Sequence, residues 1–346
     1  CAREETFVNN RVRHAIRTHI ISFVRPDGTF AARKIECFSN QGAYASHGHG
    51  IAAKGMGAFP QIYPCPNVEG DAWTVFTNKP AAGAMRGYGI PQAMWAGEAH
   101  LDDVAKALGR DPVEYRRQVA MPQGYVDAFS KNENYFDSFR QVMDRGMAAI
   151  GYQQKRQDYQ NQSGPVRRGI GMALFWYNTA VWPISLESCS CRMVLNQDGS
   201  VQIQTGETEI GQGCDTAFAQ MAADAIGIPF ADVHMVSTQD TDLTPFGTGA
   251  YASRQTYVGG FALRQTGELL RDKILSCAVE LTRQAKENLD LIDGKIIRIT
   301  DGRELMGLGE LATEALYSLT HSQHITAEST YQIKNNAYSF GCTFAE

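Results

Sequence analysis

Several things are missing from this 346-residue chain, and each absence closes off a class of function. Positive charge is not in excess. The 32 Lys and Arg stand against 37 Asp and Glu, a net charge of −5, so the basic stripe of a nucleic-acid binder is lacking. No run of about 18 apolar residues occurs, so no membrane span is expected. No basic stretch followed by an apolar run opens the chain, so no signal peptide is visible. The first residue is Cys1 rather than Met, and the chain is expected to be a piece of something longer. The eight cysteines include no CxxC pair, which argues against a ferredoxin-type cluster or a paired-thiolate zinc site. Reduced thiols and a cytoplasmic location are the expectation. The motifs GxxxxGK[ST], GxGxxG and GxSxG are absent, as is any internal repeat. His47 and His49, and His321 and His324, have no third ligand nearby in sequence, so no metal site is expected from them.

What is present is enough for a core: 43% of residues are apolar and 20% are charged. The length suits two domains at roughly 100–200 residues each. Alternating, β-branched segments at 6–45 (HIISFV, KIECF) predict antiparallel strands. The Gly-, Ala- and Pro-rich stretch 46–70 reads as a helix turn with irregular loop, and 71–77 as a strand. Pro91 opens a helix to about Leu108, and Asp111-Pro112 caps a second. A helix is predicted over 137–150, and the polar stretch 152–162 is expected to fray. The composition break NQSGPVRRG at 161–169 places the domain boundary, giving 1–163 and 164–346. Beyond it, strands are expected at 169–177, 188–196, 201–205, 232–238, 322–331 and 338–345, with helices at 215–226 and 256–284. Cys189 and Cys191 alternate on a strand and read as buried core. Strands, hairpins and helices in this order give an α+β class.

Three glycine-rich loops stand out, each just before a predicted helix: 83–89 (GAMRGYG), 206–213 (GETEIGQG) and 247–256 (GTGAYASRQT). Glycine permits close backbone approach, and free N–H groups at a helix start favour an anion. Gln212 offers a donor and an acceptor, and Arg86 a planar fork. Ordinary turns and caps are the competing reading. Glu207 and Glu209 could act as acids or bases, or serve the helix start.

At these loops the chain resembles the molybdenum-bearing part of the xanthine dehydrogenase/aldehyde oxidase family of molybdenum hydroxylases. AMRGYGIPQ resembles that family's FRGFGGPQ-type segment, TGETEIGQG its GGTEMGQG segment, and GAYASRQT its serine-containing cofactor loop. The opening AREETF and closing YSFGCTFAE also resemble family blocks. The resemblance spans essentially the whole chain. It implies an α+β fold of two elongated molybdopterin-binding domains, incomplete at both ends. It implies molybdopterin with Mo, in the cytosine dinucleotide form in many members, and no protein ligand to the metal.

Carried over by position, Gln212 would lie beside the Mo oxygens, with Met85 and Arg86 along the same centre. Gly211, Gln212, Gly213, Ala252, Ser253, Arg254 and Gln255 would hold the pterin and its phosphate end. Tyr88 falls where a substrate-stacking aromatic sits. Lys54 stands in the segment where purine oxidisers carry Arg, keeping the charge but losing the bidentate fork. Their second stacking Phe falls near Val181–Trp182, where Trp182, Phe175 or Trp176 would have to serve. The family's GGFGGKE-like loop and its catalytic Glu do not occur in these residues, so the isolated chain is expected to be inactive. The implied activity is hydroxylation of an N-heterocycle with oxygen from water, with Gln212 and Arg86 as catalytic residues. An aldehyde or aromatic acyl thioester is the alternative substrate. Electrons would leave through iron–sulfur and flavin partners, in a dimer of assemblies. A pterin-binding module without redox chemistry, or a structural fragment, are the rivals from other classes.

Overall fold

The structure is a computed structural model that describes residues 2–126, 133–181, 185–237, 240–320 and 322–346. It is α+β throughout, and no helix among the described residues is long and apolar enough to cross a membrane. The chain forms two compact units, Cys1–Tyr177 with Tyr338–Glu346, and Asn178–Ala337.

The first unit opens with helix α1 (Arg3–Asn9), then β1 (Ile16–Val24) and β2 (Phe30–Gly42), paired antiparallel. Helix α2 (Gly48–Ile62) carries the chain over to β3 (Val68–Phe76), which runs parallel to β2. A full 15-residue helix thus stands where only a turn and loop were expected. Its glycines are poor helix formers, but the side facing the sheet is a stripe of buried Ile51, Ala52, Ala58, Phe59 and Ile62. Tertiary packing overrides propensity here.

Next come α3 (Ile90–Ala107), α4 (Pro112–Val119), α5 (Ser138–Ile150), α6 (Tyr152–Asp158) and β4 (Gly171–Thr179). Asp111 caps α4 as expected, accepting from the N–H groups of Val113 and Glu114 at 2.8 and 3.2 Å. The segment after Ile150, expected to fray, forms α6 instead, anchored by the buried Tyr152. The core joins Phe30 and Ile35 of the sheet to α2, Leu101 of α3 and Phe139 and Met143 of α5.

The second unit starts with β5 (Ser188–Leu195) and β6 (Val201–Thr205), followed by α7 (Cys214–Ile226) and the short β7 (Val233–Met235). A π-helical turn at Gln255–Gly259 leads into α8 (Gly260–Thr282). A small antiparallel sheet of β8 (Leu289–Ile292), β9 (Lys295–Arg298) and β10 (Arg303–Gly307) follows, then α9 (Leu308–Tyr317) and β11 (Thr326–Gln332). The strands β8, β9 and β10 and the helix α9 were not expected from the sequence. The main sheet runs β11-β5-β6-β7 and packs on α7 and α8. Cys189 and Cys191 are fully buried in β5, as read from the sequence.

The chain then returns to the first unit as β12 (Ala337–Ala345), which pairs with β4. Contacts therefore divide the chain after Tyr177, past the composition break at 161–169, because β4 packs into the first core through Met172, Leu174 and Trp176.

Candidate functional site

In the second unit, the loop after β6 and the loop before α8 come together. Gln212 folds back onto its own loop. Its Nε2 donates to the Thr208 carbonyl at 3.0 Å and to Gln255 Oε1 at 2.5 Å, and its Oε1 accepts from the Ile210 N–H at 2.7 Å. Gln255 Nε2 donates to the same Thr208 carbonyl at 2.8 Å. Two residues assigned from separate motifs are thus direct partners, with Thr208 as an unforeseen anchor.

The start of α7 is not a free anion site. The Glu209 carboxylate accepts from the N–H groups of Gly211, Gly213 and Asp215 at 2.6, 3.1 and 3.2 Å. Those backbone donors pull its pKa down to about 2. Glu209 therefore serves the helix start. Its proximity to Cys214 and Asp215, all within 4.8 Å, reads as part of that cap. The N–H groups of Gly211 and Gly213 already have an acceptor, which corrects the reading of this helix start as an anion cradle. No atom would lie within 4 Å of a Cβ on either glycine, and both have φ near +90°, so the left-handed backbone is the demand there.

The third loop differs. Ala252 (φ 51°) and Ser253 (φ 55°) are consecutive left-handed residues without being glycine. Such backbone costs roughly 1–2 kcal/mol per residue and gathers at functional sites. The Ala252 carbonyl accepts from the N–H of Ala180, itself left-handed, at 2.8 Å. The N–H groups of Ala252 and Ser253, and the Ser253 hydroxyl, have no partner among the described residues, and Ser253 is exposed. Successive unpartnered amides of this kind form an anion-binding concavity.

Arg254, carried over as a cofactor contact, has a side chain that is fully buried and turned onto protein partners. Nε donates to Glu187 Oε2 at 2.7 Å, one terminal nitrogen pairs with Glu207 Oε1, and the other donates to the Ser188 carbonyl at 2.7 Å. Glu187 Oε1 also accepts from the Val181 N–H at 2.9 Å and the Tyr251 hydroxyl at 3.0 Å. Burial pushes the Glu207 carboxyl above the usual range, against the pull of Arg254. Glu187 was not singled out from the sequence. The available signal is an acid placed directly before the cysteine-bearing strand β5.

In the first unit, Gly87 (φ 95°), Tyr88 (φ 48°) and Gly89 (φ 93°) make three successive left-handed residues before α3. A Cβ on Gly89 would lie 2.5 Å from the Ile51 carbonyl of α2, so only glycine fits. The Arg86 carbonyl accepts from Arg13 at 2.6 Å, while its guanidinium is exposed without a partner among the described residues; the Met85 side chain is half exposed. The Tyr88 hydroxyl meets His47 Nδ1 at 3.0 Å, an unforeseen partner, and lies 2.9 Å from where a Cβ on Gly50 would sit. Lys54 follows Gly50 one turn along α2, so Tyr88 and Lys54 address the same side of that helix. Lys54 has no acid partner among the described residues; its Nζ lies 4.7 Å from the centre of the Tyr177 ring. Desolvation lowers its pKa to about 8. Trp176 is buried against Tyr338 (ring centres 5.3 Å apart), so it is core rather than a stacking surface. Phe175 is 44% exposed. Val181 is half-buried, and Trp182 lies outside the described residues.

Two models of the molybdopterin cofactor-binding domain match this sequence, one over residues 1–120 and the other over 145–346. The chain belongs to that family. It is 42% identical over all 346 residues to the xanthine dehydrogenase molybdenum-binding subunit of Escherichia coli O157:H7, spanning 46% of that protein. Among solved structures it resembles quinoline 2-oxidoreductase from Pseudomonas putida 86, with a TM-score of 0.83 and 22% identity over 99% of this chain and 46% of that one. The aldehyde oxidoreductase of Desulfovibrio gigas gives a TM-score of 0.76 at 22% identity, over 99% of this chain and 36% of that one. The chain thus spans about half the length, or less, of the curated relatives it matches.

A molybdopterin suits the second unit's donor set. The pterin and phosphate are rich in acceptors, and the Ala252-Ser253 turn offers two unpartnered amides and a hydroxyl. Gln255 stands two residues after the turn, is tied to Gln212, and shares the Thr208 carbonyl with it.

Proposed function

We propose that this chain is the cofactor-holding portion of a xanthine dehydrogenase-like hydroxylase that oxidises an N-heterocycle of purine type, with water as the oxygen source. The observation that carries the reading is the strained, unpartnered Ala252-Ser253 turn in a molybdopterin-binding family member. When bound, the cofactor supplies the two-electron redox chemistry that places a water-derived oxygen on carbon. Residues 252 and 253 hold its anionic end through their amides. Gln212 and Gln255, locked together, fix the polar edge beside it. In the first unit, the Arg86 guanidinium stabilises developing negative charge, and Tyr88, oriented by His47, presents a ring face to a flat substrate. Lys54, a desolvated cation without an acid, favours a substrate carrying an anionic or strongly polar edge. Iron–sulfur and flavin carriers on partner subunits or domains take the electrons, and the assembly works in the cytoplasm as a dimer.

An aldehyde is the second reading, favoured by the loss of the planar fork at position 54. Molybdenum per chain in the assembled native enzyme, measured by elemental mass spectrometry, tests the cofactor assignment: one Mo per chain is expected, on the one-centre logic of such sites. No Mo in material with loaded iron–sulfur partners overturns it. Lys54→Met then separates the substrates, raising KM for a polar ring and leaving an aldehyde nearly unaffected.

A further inference from the structure

Three side chains beneath the Ala252-Ser253 turn carry charge and have no access to water: Glu187, Glu207 and Arg254. Two acids and one base leave one negative charge too many if all are ionised. An uncompensated buried charge is too unfavourable to persist when a proton can remove it. The hydrogen bonds say which acid takes the proton. Glu187 accepts three times, from Arg254 Nε, the Val181 N–H and the Tyr251 hydroxyl, as a carboxylate does. Glu207 meets Arg254 through Oε1 alone, and its buried Oε2 has no hydrogen-bond partner.

Among the described residues, the surroundings of Glu207 offer no other cation. From β5 it faces the Cys189 thiol, itself pushed up to about 12 by burial and by Glu207. From β6 the Thr205 hydroxyl meets its N–H at 3.4 Å. From the π-helical turn it faces the Gln255 amide and the backbone of Gly259, where a Cβ would lie 3.1 Å from Glu207 Cγ.

We propose that Glu207 holds a resident proton, so that the ionised Glu187–Arg254 pair alone acts as the positioning element for the turn that receives the cofactor. Arg254 is the residue after that turn, and Glu187 ties it to the 180–181 segment whose N–H groups brace Ala252 and Glu187 itself. With Glu207 neutral the group sums to zero, so an anionic cofactor end meets no surplus buried acid. This inference rests on reading the turn as cofactor-holding.

The test uses the assembled enzyme and two isosteric variants, Glu207→Gln and Glu187→Gln. Molybdenum per chain, thermal stability and the infrared difference spectrum of Glu207→Gln against wild type are measured at neutral pH. Glu207→Gln, which replaces a neutral acid by a neutral amide, keeps cofactor content and melting temperature. Glu187→Gln removes the carboxylate that ties Arg254 to the Val181 N–H and the Tyr251 hydroxyl, and lowers cofactor content by more than about tenfold. The infrared difference shows a protonated carboxylic acid present in wild type and absent from Glu207→Gln. Loss of cofactor from Glu207→Gln, or no such acid band, overturns the proposal. If Glu187→Gln does not fold, the band and the Glu207→Gln variant still decide it. Wild type without molybdenum defeats the cofactor reading instead, while the band still reports on Glu207.

Discussion

Each unit buries an arginine among carboxylates, and each settles the charge differently. In the first unit Arg116 meets the buried Glu98 at 2.8 Å and Asp102 at 2.6 Å, whose side chain is 53% exposed. Glu98 also accepts from the Tyr63 hydroxyl at 2.6 Å and the Leu174 N–H at 2.8 Å, which ties α3 to α4 and β4. Water screens the second acid, so this hub is balanced and purely structural. Two cations of that unit meet no acid among the described residues: the buried Arg33, which donates to the Phe59 carbonyl at 3.0 Å and lies over the Phe30 ring, and the half-buried Lys54. In the second unit the surplus is the acid Glu207, sealed beside Arg254. A framework hub closes its own charge. A buried group left with charge over, or with a proton to hold, marks where the fold has been shaped for something besides stability.

The largest expected effect comes from removing the two arginines. Arg254→Met leaves the dry Glu187 carboxylate without a cation and the dry Glu207 acid without its donor, and costs ~5 kcal/mol, whereas Arg116→Met leaves Glu98, still held by Tyr63 and Leu174, beside a wet Asp102, and costs ~3 kcal/mol. Denaturant unfolding of the two variants reads the difference, and an equal loss would dissolve the distinction between the hubs.

Lys54 comes next. Its pKa falls from 10.5 in the unfolded chain to about 8 in the folded one. Between these values the unfolded state holds more protons, so stability rises with pH across that window and is lost again as pH falls through about 8. The span is about 3 kcal/mol. Lys54→Met flattens this rise in thermal unfolding followed over the same pH range. A slope unchanged by the substitution means that Lys54 is not desolvated.

The smallest effect is at Ala252. Ala252→Gly relieves ~1–2 kcal/mol of left-handed strain and gives back ~0.5–1 kcal/mol in chain entropy. The net gain, below about 1 kcal/mol, appears as a slightly higher melting temperature. A loss would place the strain elsewhere.

The α+β class, the caps at Pro91 and Asp111, β6, α7 and the buried pair Cys189 and Cys191 were legible because each has a local signature: a capping residue, a period, or an alternation. Helix α2 was not, since its glycines and alanines look like loop until Phe59 and Ile62 find a sheet to cover. The motifs pointed to the right loops but not to what each side chain does. Nothing local says that Arg254 turns inward onto Glu187, 67 positions away, or that Glu209 closes its own helix. Those are long-range or conformational facts. The pairing of Gln212 with Gln255 bridges 43 positions and becomes visible only in three dimensions.

The strand β12 gives the chain an order of assembly. The first unit lacks β12 until Tyr338–Glu346 have left the ribosome, because Phe340 and Phe344 supply ring contacts to Phe139 and Tyr152 in its core. By then Asn178–Ala337 has been fully synthesised. Domains fold as units as they emerge, so the second unit matures first, although it comes second in the gene. The first unit closes last.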